Sequence, residues 1–555
     1  MKPDEVILFM KKGKKRFIAT LAVVTALTAS LTACNGGGST SNKGESTAAP
    51  SGTDATKAPA DGKIVSSPLT LTYFGGGVTA PGVNTPNDVA AYQETEKKTG
   101  IHIDFQVPTI GQEKNQFNLL VSSGSYPDVI DWYWTDYTGG GDGAIKNGVI
   151  IPLNDYLEKY APNFSKLLAA NPEIKKAIST DDGKIYSFPF LRIDPYLRTY
   201  QGLAIRKDWL DKLGLQTPTT IDEWHTALKA IKDGDPNGNG KADEIPLLIN
   251  KSTLLDFSNV FLNAWGITGQ FNLQDGKVVY GAIDPKYKEF LKTMQDWYAE
   301  GLIDHDYAAT DSKQKDAKWT GELIGASELA VGGGIGKYLT AMSGKNPKFD
   351  IVGAPFPTLN KGDKPVLGQV TPVGGNYGAA ISTGNKHVKE TVQWLDFKYG
   401  EEGSMLFNFG VEGKSYDLKD GYPTYTNEIM KNPEGLSFSN SVSKYAIPFG
   451  GPFVQDKRYQ EQNASMPQQK AALNTWMNAD NAGWLPPITL TTDESSRFAA
   501  IMTDVKTYRD EMFDKFIMGV EPIDNFDKYV KTIKGMGIDE AIQIQQAAYD
   551  RYMKR

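Results

Sequence analysis

The 555-residue chain has a single cysteine, Cys34, and only four histidines, His102, His225, His305 and His387. One cysteine excludes an intrachain disulfide and any multi-cysteine metal site. The histidines are scattered, and none belongs to a His-Glu-x-x-His helix. No Gly-x-Ser-x-Gly elbow is present, so the usual frame for a serine nucleophile is missing. Gly332-Gly333-Gly334-Ile335-Gly336-Lys337 fails as a phosphate loop, because Val331 stands at the first glycine position and Tyr338 replaces the Ser/Thr. Net charge is −7 and no basic block follows residue 16, which argues against nucleic acid as a partner. No apolar run reaches the ~18 residues of a spanning helix. With 40% hydrophobic and 23% charged residues, the chain is globular, of one or two large domains.

What is present begins at the N-terminus. Lys11, Lys12, Lys14, Lys15 and Arg16 precede an apolar stretch from Phe17 to Leu31, which leads into Leu31-Thr32-Ala33-Cys34. Basic, apolar and small-residue regions in that order make a secretory signal. The tetrapeptide resembles the lipobox of bacterial lipoproteins. That resemblance implies acylation of Cys34 with a diacylglycerol, removal of residues 1–33 and a mature chain of 522 residues (555 less 33). Met10-Lys11-Lys12 reads as the natural start of such a signal. Residues 34–62 carry no aromatic and no aliphatic side chain larger than Ala, so they are expected to form a flexible tether with a reach of roughly 30 Å.

The body starts near Ile64. Leu69–Phe74, Ile101–Val107 and Asp128–Trp132 read as strands, and Asp88–Thr99 and Gln112–Ser122 as helices between them. Strand–helix–strand–helix–strand implies parallel pairing in an α/β fold. Phe498, Ile501, Met502, Val505, Tyr508, Met512 and Phe516 recur at three- and four-residue spacing, predicting a helix-rich C-terminal part.

Two local patterns carry chemistry. In Asp235-Pro236-Asn237-Gly238-Asn239-Gly240-Lys241-Ala242-Asp243-Glu244, oxygen ligands fall at positions 1, 3 and 5, with glycine at 6 for the turn. This spacing suits calcium, with Asp235, Asn237, Asn239, the Lys241 carbonyl, Asp243 and Glu244 as ligands. Position 12 is Pro246, not the bidentate Glu of an EF-hand, and a polar surface turn is the plainer alternative. A calcium there would be structural. The second pattern is aromatic: Trp132 and Trp134 at a strand end, Trp265 in Asn263-Ala264-Trp265-Gly266, and Tyr338 after the glycine run. Aromatic faces stack on sugar rings, though each of these could equally be core. Trp209, Trp224, Trp297 and Trp394 lie within helices and read as packing.

Tyr126-Pro127-Asp128-Val129-Ile130, Ala204-Ile205-Arg206-Lys207-Asp208-Trp209-Leu210, Pro218–Trp224, the calcium-type loop, Phe409–Tyr416 and Asp524–Val530 together resemble the extracellular solute-binding lipoproteins of carbohydrate ABC importers. The similarity extends to the large calcium-containing branch that includes alginate-oligosaccharide-binding proteins and the Gram-positive lipoproteins similar to them. It implies a two-lobed, type II periplasmic-binding-protein-like fold with ligand in the cleft. Lobe one would hold 64–203 and 378–440, and lobe two 204–377 and 441–555, with crossings near Ala204–Arg206 and Gly375–Ala380. It places ligand contacts at Trp132 and at the Gly333–Tyr338 loop, including Gly334 and Tyr338, with Glu412 and Tyr416 as further candidates. It implies no catalysis, a sugar or oligosaccharide ligand, permease subunits as partners, and a monomer lipid-anchored on the outer face of a bacterial, Gram-positive membrane. The competing expectation is a surface-tethered carbohydrate-active enzyme, which needs a carboxylate pair in the cleft.

Overall fold

The computed structural model describes residues 62–77, 80–256, 258, 260–374 and 377–555. Cys34, the signal segment and the tether up to residue 61 lie outside the described residues, as do residues 375 and 376 of the second expected crossing. Residues Ala58–Arg555 form one compact unit.

Among the described residues two larger sheets organise this unit. In the first, the order is Ile101–Gln106, Leu69–Phe74, Val129–Tyr133, Tyr377–Ile381, Phe188–Pro189. The three N-terminal strands pair in parallel, as the alternation of strands and helices predicts, and Tyr377–Ile381 runs antiparallel to both its neighbours. The second sheet has the order Ile351–Gly353, Gln201–Arg206, Ile324–Ala330, Ile245–Leu248. The helix Ala90–Thr99 stops at Gly100, whose φ of 76° closes the turn without a Cβ clash. The helix Ile221–Asp233 starts where the Thr220 side chain accepts the Glu223 N–H.

Each sheet has its own hydrophobic core. The first joins Leu71, Val129, Phe164, Ile381 and Trp394, and continues to Ile447 and Phe453, past residue 440. The second joins Ile205, Trp224, Phe290, Ala326 and Trp476 with Val505, Phe516 and Tyr529 of the C-terminal helices. The chain leaves the first sheet at Pro189 and enters the second at Gln201, so Ala204–Arg206 lies inside a strand of the second sheet. It returns between Gly353 and Tyr377.

The Arg-Lys-Asp-Trp-Leu motif is explained by packing. Arg206 is fully buried, its guanidinium 4.3 Å from the Trp209 ring and 4.1 Å from the Phe349 ring. It donates to both oxygens of Asp208, at 2.8 and 2.6 Å, and to Glu322. The helix Pro467–Trp476 presses so closely on the second sheet that a Cβ on Gly202 would meet Trp476 at 2.6 Å, and one on Gly353 would meet Ala472 at 2.5 Å. No helix among the described residues is long and apolar enough to cross a membrane.

Candidate functional site

A cleft of about 1470 Å³ opens where the parallel strands of the first sheet end, the usual ligand position in α/β folds. Gly75–Gly77 follow one strand, Val107–Ile110 another, and Trp132 and Tyr133 close the third. Its volume exceeds the ~300–1,000 Å³ of drug-sized pockets. The opposite wall comes from Phe190, Arg192 and Tyr200 on the chain passing between the sheets. The Arg192 guanidinium lies 5.0 Å from the Phe190 ring and 5.4 Å from the Tyr200 ring, and its Nε donates to Gln455. A smaller recess of about 290 Å³ shares Arg192, Tyr200 and Phe449 with the cleft and reaches Gly332 and Gly333, just past the strand Ile324–Ala330 of the second sheet.

Both Trp132 and Tyr133 line the cleft, and the open aromatic face is that of Tyr133. Val129–Tyr133 alternates, with Trp132 turned into a core and Tyr133 turned out. Trp132 lines the cleft but is only 8% exposed; its ring stacks on Phe117 at 4.8 Å and 13°. Tyr133 is 53% exposed, with its ring against Tyr377 at 4.7 Å. Phe449 presents a second open aromatic face.

The other expected contacts lie elsewhere. Trp134 is core, its indole N–H donating to the Gly378 carbonyl. Trp265 is buried edge-on against Phe290 and donates to Glu289. Tyr338 stacks on Trp319 at 5.0 Å and donates to Asp316. Tyr416 packs on Phe409, and Glu412 is exposed outside the cleft lining. The glycine run is no open loop. Val331–Gly336 coils into a wide π-type turn continuous with the helix Lys337–Met342, and Gly334 is buried against Leu329. The side-chain amides of Asn463 and Gln469 pack on Gly332 and Gly336, where a Cβ would displace them.

Asp131 is the residue that the sequence pattern hid. It is 2% exposed yet lines the cleft, on the strand face opposite Trp132. One carboxylate oxygen accepts the Tyr73 hydroxyl at 2.7 Å, while Oδ1 has no hydrogen-bond partner. Burial pushes its pKa up to about 6, against the opposing pull of the Tyr73 hydrogen bond and the Lys398 charge. Lys398 is wholly buried and its ammonium has no hydrogen-bond partner. It sits 3.8 Å from the Trp394 ring centre, with Phe407, Tyr92 and Tyr73 within 6 Å. Burial pushes it down to about 7, with Asp131 resisting. The available signal was an acid inside an otherwise apolar strand, Val-Ile-Asp-Trp-Tyr.

The Asp235–Glu244 loop is tightly wound, with Asp235, Gly238 and Gly240 at positive φ. The Asp235 carboxylate accepts the Asn239 and Gly240 N–H groups at 3.1 Å each. Asp243 Oδ1 accepts from the side-chain amides of both Asn237 and Asn239. These two amides hold the Asp243 carboxyl below the usual range. Glu244 Oε2 is buried and has no partner. Asn237, Asn239 and Asp243 thus converge, with an orphaned carboxylate oxygen on Glu244. Among the described residues no three His, Cys, Asp or Glu side chains gather as a metal site, so amide and carbonyl oxygens would be needed to complete a shell here.

The chain belongs to the family of bacterial extracellular solute-binding proteins, matched over residues 78–405. These are binding proteins, not enzymes. It is 29% identical over 503 residues to the fructooligosaccharide ABC transporter substrate-binding protein FusA of Streptococcus pneumoniae, covering 84% of this chain and 88% of that one. A structure of a FusA EF-hand mutant in complex with fructo-nystose matches with a TM-score of 0.70, at 26% identity over 87% of this chain and 99% of that one. Lipoprotein LipO of Bacillus subtilis is 29% identical over 382 residues, 65% of this chain and 72% of that one. The alginate-binding protein AlgQ2, solved without calcium ion, matches with a TM-score of 0.73, at 25% identity over 88% of this chain and 99% of that one.

Proposed function

We propose that this protein is the substrate-binding component of an ABC importer and captures a sugar or oligosaccharide outside the cell. The observation that carries this reading is the cleft at the ends of the parallel strands, with open aromatic faces on Tyr133 and Phe449. Aromatic faces take the C–H faces of sugar rings, and flanking polar groups take the hydroxyls. The two sheets and their cores serve as lobes, and the segments at 190–200 and 354–376 as hinges. Ligand bridging both lobes makes contacts that the open form lacks and so favours closure. The closed monomer then docks on its permease subunits. Cys34 holds the body to the membrane through its acyl chains, and residues 34–62 give it reach.

Calcium in the Asp235–Glu244 loop would be held by Asp235, Asn237, Asn239, the Lys241 carbonyl, Asp243 and Glu244. It would supply charge compensation and rigidity, and no part of ligand capture. The orphaned Glu244 oxygen supports this reading, as does the calcium-related description of both structural relatives.

The test is calorimetric titration of the mature protein with kestose, raffinose, stachyose and trigalacturonate, followed by chromatography of the recovered sugar. Stoichiometric binding of at least one sugar, returned intact, is expected. Cleavage of the sugar, or heat-silent titrations throughout, would overturn the proposal.

A further inference from the structure

Among the described arginines, Arg206, Arg458, Arg497, Arg509, Arg551 and Arg555 each pair with a carboxylate. Arg192 and Arg198 do not, and both stand on the segment that passes between the two sheets. Arg198 gives its Nε–H to the Thr371 carbonyl and lies outside the cleft lining. Arg192 lines both the cleft and the adjoining recess. Its Nε donates to Gln455 at 3.0 Å. Among the described residues neither of its Nη groups is hydrogen-bonded, and neither is sealed from solvent.

The side chain is held in place. The Arg192 N–H donates to the Val373 carbonyl on the returning segment. The Gln455 N–H donates to the Leu191 carbonyl and its Nε2 to the Pro448 carbonyl, which turns the Gln455 oxygen toward Arg192. Phe190 and Tyr200 flank the guanidinium. The Nε side is thus fixed and the Nη pair is the open end of the fork. Burial pushes this guanidinium down from its usual range, and the groups that act against that are Tyr200, Tyr459 and Tyr133. The two acids of the cleft lining do not supply the missing charge. Asp131 is buried and accepts the Tyr73 hydroxyl. Glu113 opens the helix Glu113–Ser123, where the N–H groups of its own residue and of Gly111 hold it below the usual carboxylate range. A partly desolvated cation without a counter-charge is stabilised by an anion that enters, and the paired N–H donors of a guanidinium match the two oxygens of a carboxylate.

We propose that Arg192 is the specificity-determining residue of the cleft and receives the carboxylate of an acidic sugar ring stacked on Tyr133. The proposal rests on the carbohydrate-binding reading above and narrows it to oligosaccharides that carry at least one uronate.

Trigalacturonate and its methyl ester test it, because they share their rings and differ in charge. Arg192→Met removes the charge and keeps an unbranched stem. Arg192→Lys keeps the charge and loses the fork. Calorimetry of each protein with both probes and with raffinose is read beside melting curves. Wild type should bind trigalacturonate about tenfold or more tightly than the ester, the scale of a charge-assisted hydrogen bond, with a preference that shrinks as salt rises. Arg192→Met should bring the two affinities within about twofold, a ratio that a merely structural role would not move, and Arg192→Lys should weaken trigalacturonate about fivefold. Equal or tighter binding of the ester or of raffinose by wild type would overturn the role of Arg192 and leave sugar binding standing, as would an undiminished preference in Arg192→Met. If Arg192→Met does not fold, the wild-type ratio and Arg192→Lys decide, and an unchanged trigalacturonate affinity in Arg192→Lys would overturn the fork. Wild type that binds none of these probes, nor kestose or stachyose, would overturn both this role and the function on which it rests.

Discussion

At the scale of single residues, Lys398 is a costly side chain beside the core of the first sheet. Its ammonium has rings on its sides and no hydrogen-bond acceptor, and burial pushes it down to about 7. Free lysine holds its proton to ~10.4. Between those values the unfolded chain binds a proton that the native state has released, so stability rises with pH across about 7 to 10 and is lost again as pH falls to 7. Lys398→Met keeps the volume and removes the charge. It should raise the melting temperature at pH 7 and flatten the pH dependence between 7 and 10, measured by thermal melts over that range. An unchanged slope would show that Lys398 does not titrate there. Sequence alone cannot reveal this residue, because a lysine near a helix end is normally solvated. Arg206 is the contrary case. Its motif was legible as a family mark, yet what it encodes is a buried cation held by Asp208, Glu322, Trp209 and Phe349, a matter of fold rather than ligand.

At the scale of elements, strands and helices were legible because period-two and period-three-to-four patterns survive in the sequence. The strands Leu69–Phe74 and Ile101–Gln106 and the helices Ala90–Thr99 and Glu113–Ser123 fall where those patterns put them. The exposed face of the cleft was not legible, because it depends on which way one strand alternates. Trp132 and Trp134 bracket Tyr133 in sequence; the pleat turns Trp132 away from the face of Tyr133, and the turn Trp134–Asp136 that follows the strand buries Trp134. The glycine run misled for a related reason: it is wound into a turn, with Gly334 against Leu329 and with Asn463 and Gln469, distant in sequence, packed on Gly332 and Gly336. The Asp235–Glu244 loop can be tested as an element. Chelator should lower the melting temperature of wild type, and added calcium should restore it. Asp243→Ala should abolish that response while leaving sugar affinity within about twofold, well under the ~1.4 kcal/mol of a tenfold change. A melting curve indifferent to both chelator and calcium would remove metal from this loop.

At the scale of the whole molecule, the two sheets, each with its own core, carry the α/β architecture that strand–helix alternation predicts. The connections between them were less legible, since the expected crossing at Ala204–Arg206 is a strand and the first core extends beyond residue 440. The C-terminal helices add a link that no local pattern announces. They pack in the second core, while Arg551 and Arg555 both pair with Asp181 of the first-lobe segment. This contact joins elements of the two cores at a point away from the cleft lining.

The central claim is that sugar binds in the cleft against its open aromatic face. Trp132→Ala is a poor probe, because removing a stacked core tryptophan costs about 3–5 kcal/mol of stability. Tyr133→Ala removes the exposed platform instead. The deciding measurement is calorimetry of Tyr133→Ala beside wild type, with the sugar that wild type binds. Affinity at least tenfold weaker at an unchanged melting temperature is the predicted result; wild-type affinity in a folded Tyr133→Ala would contradict the account.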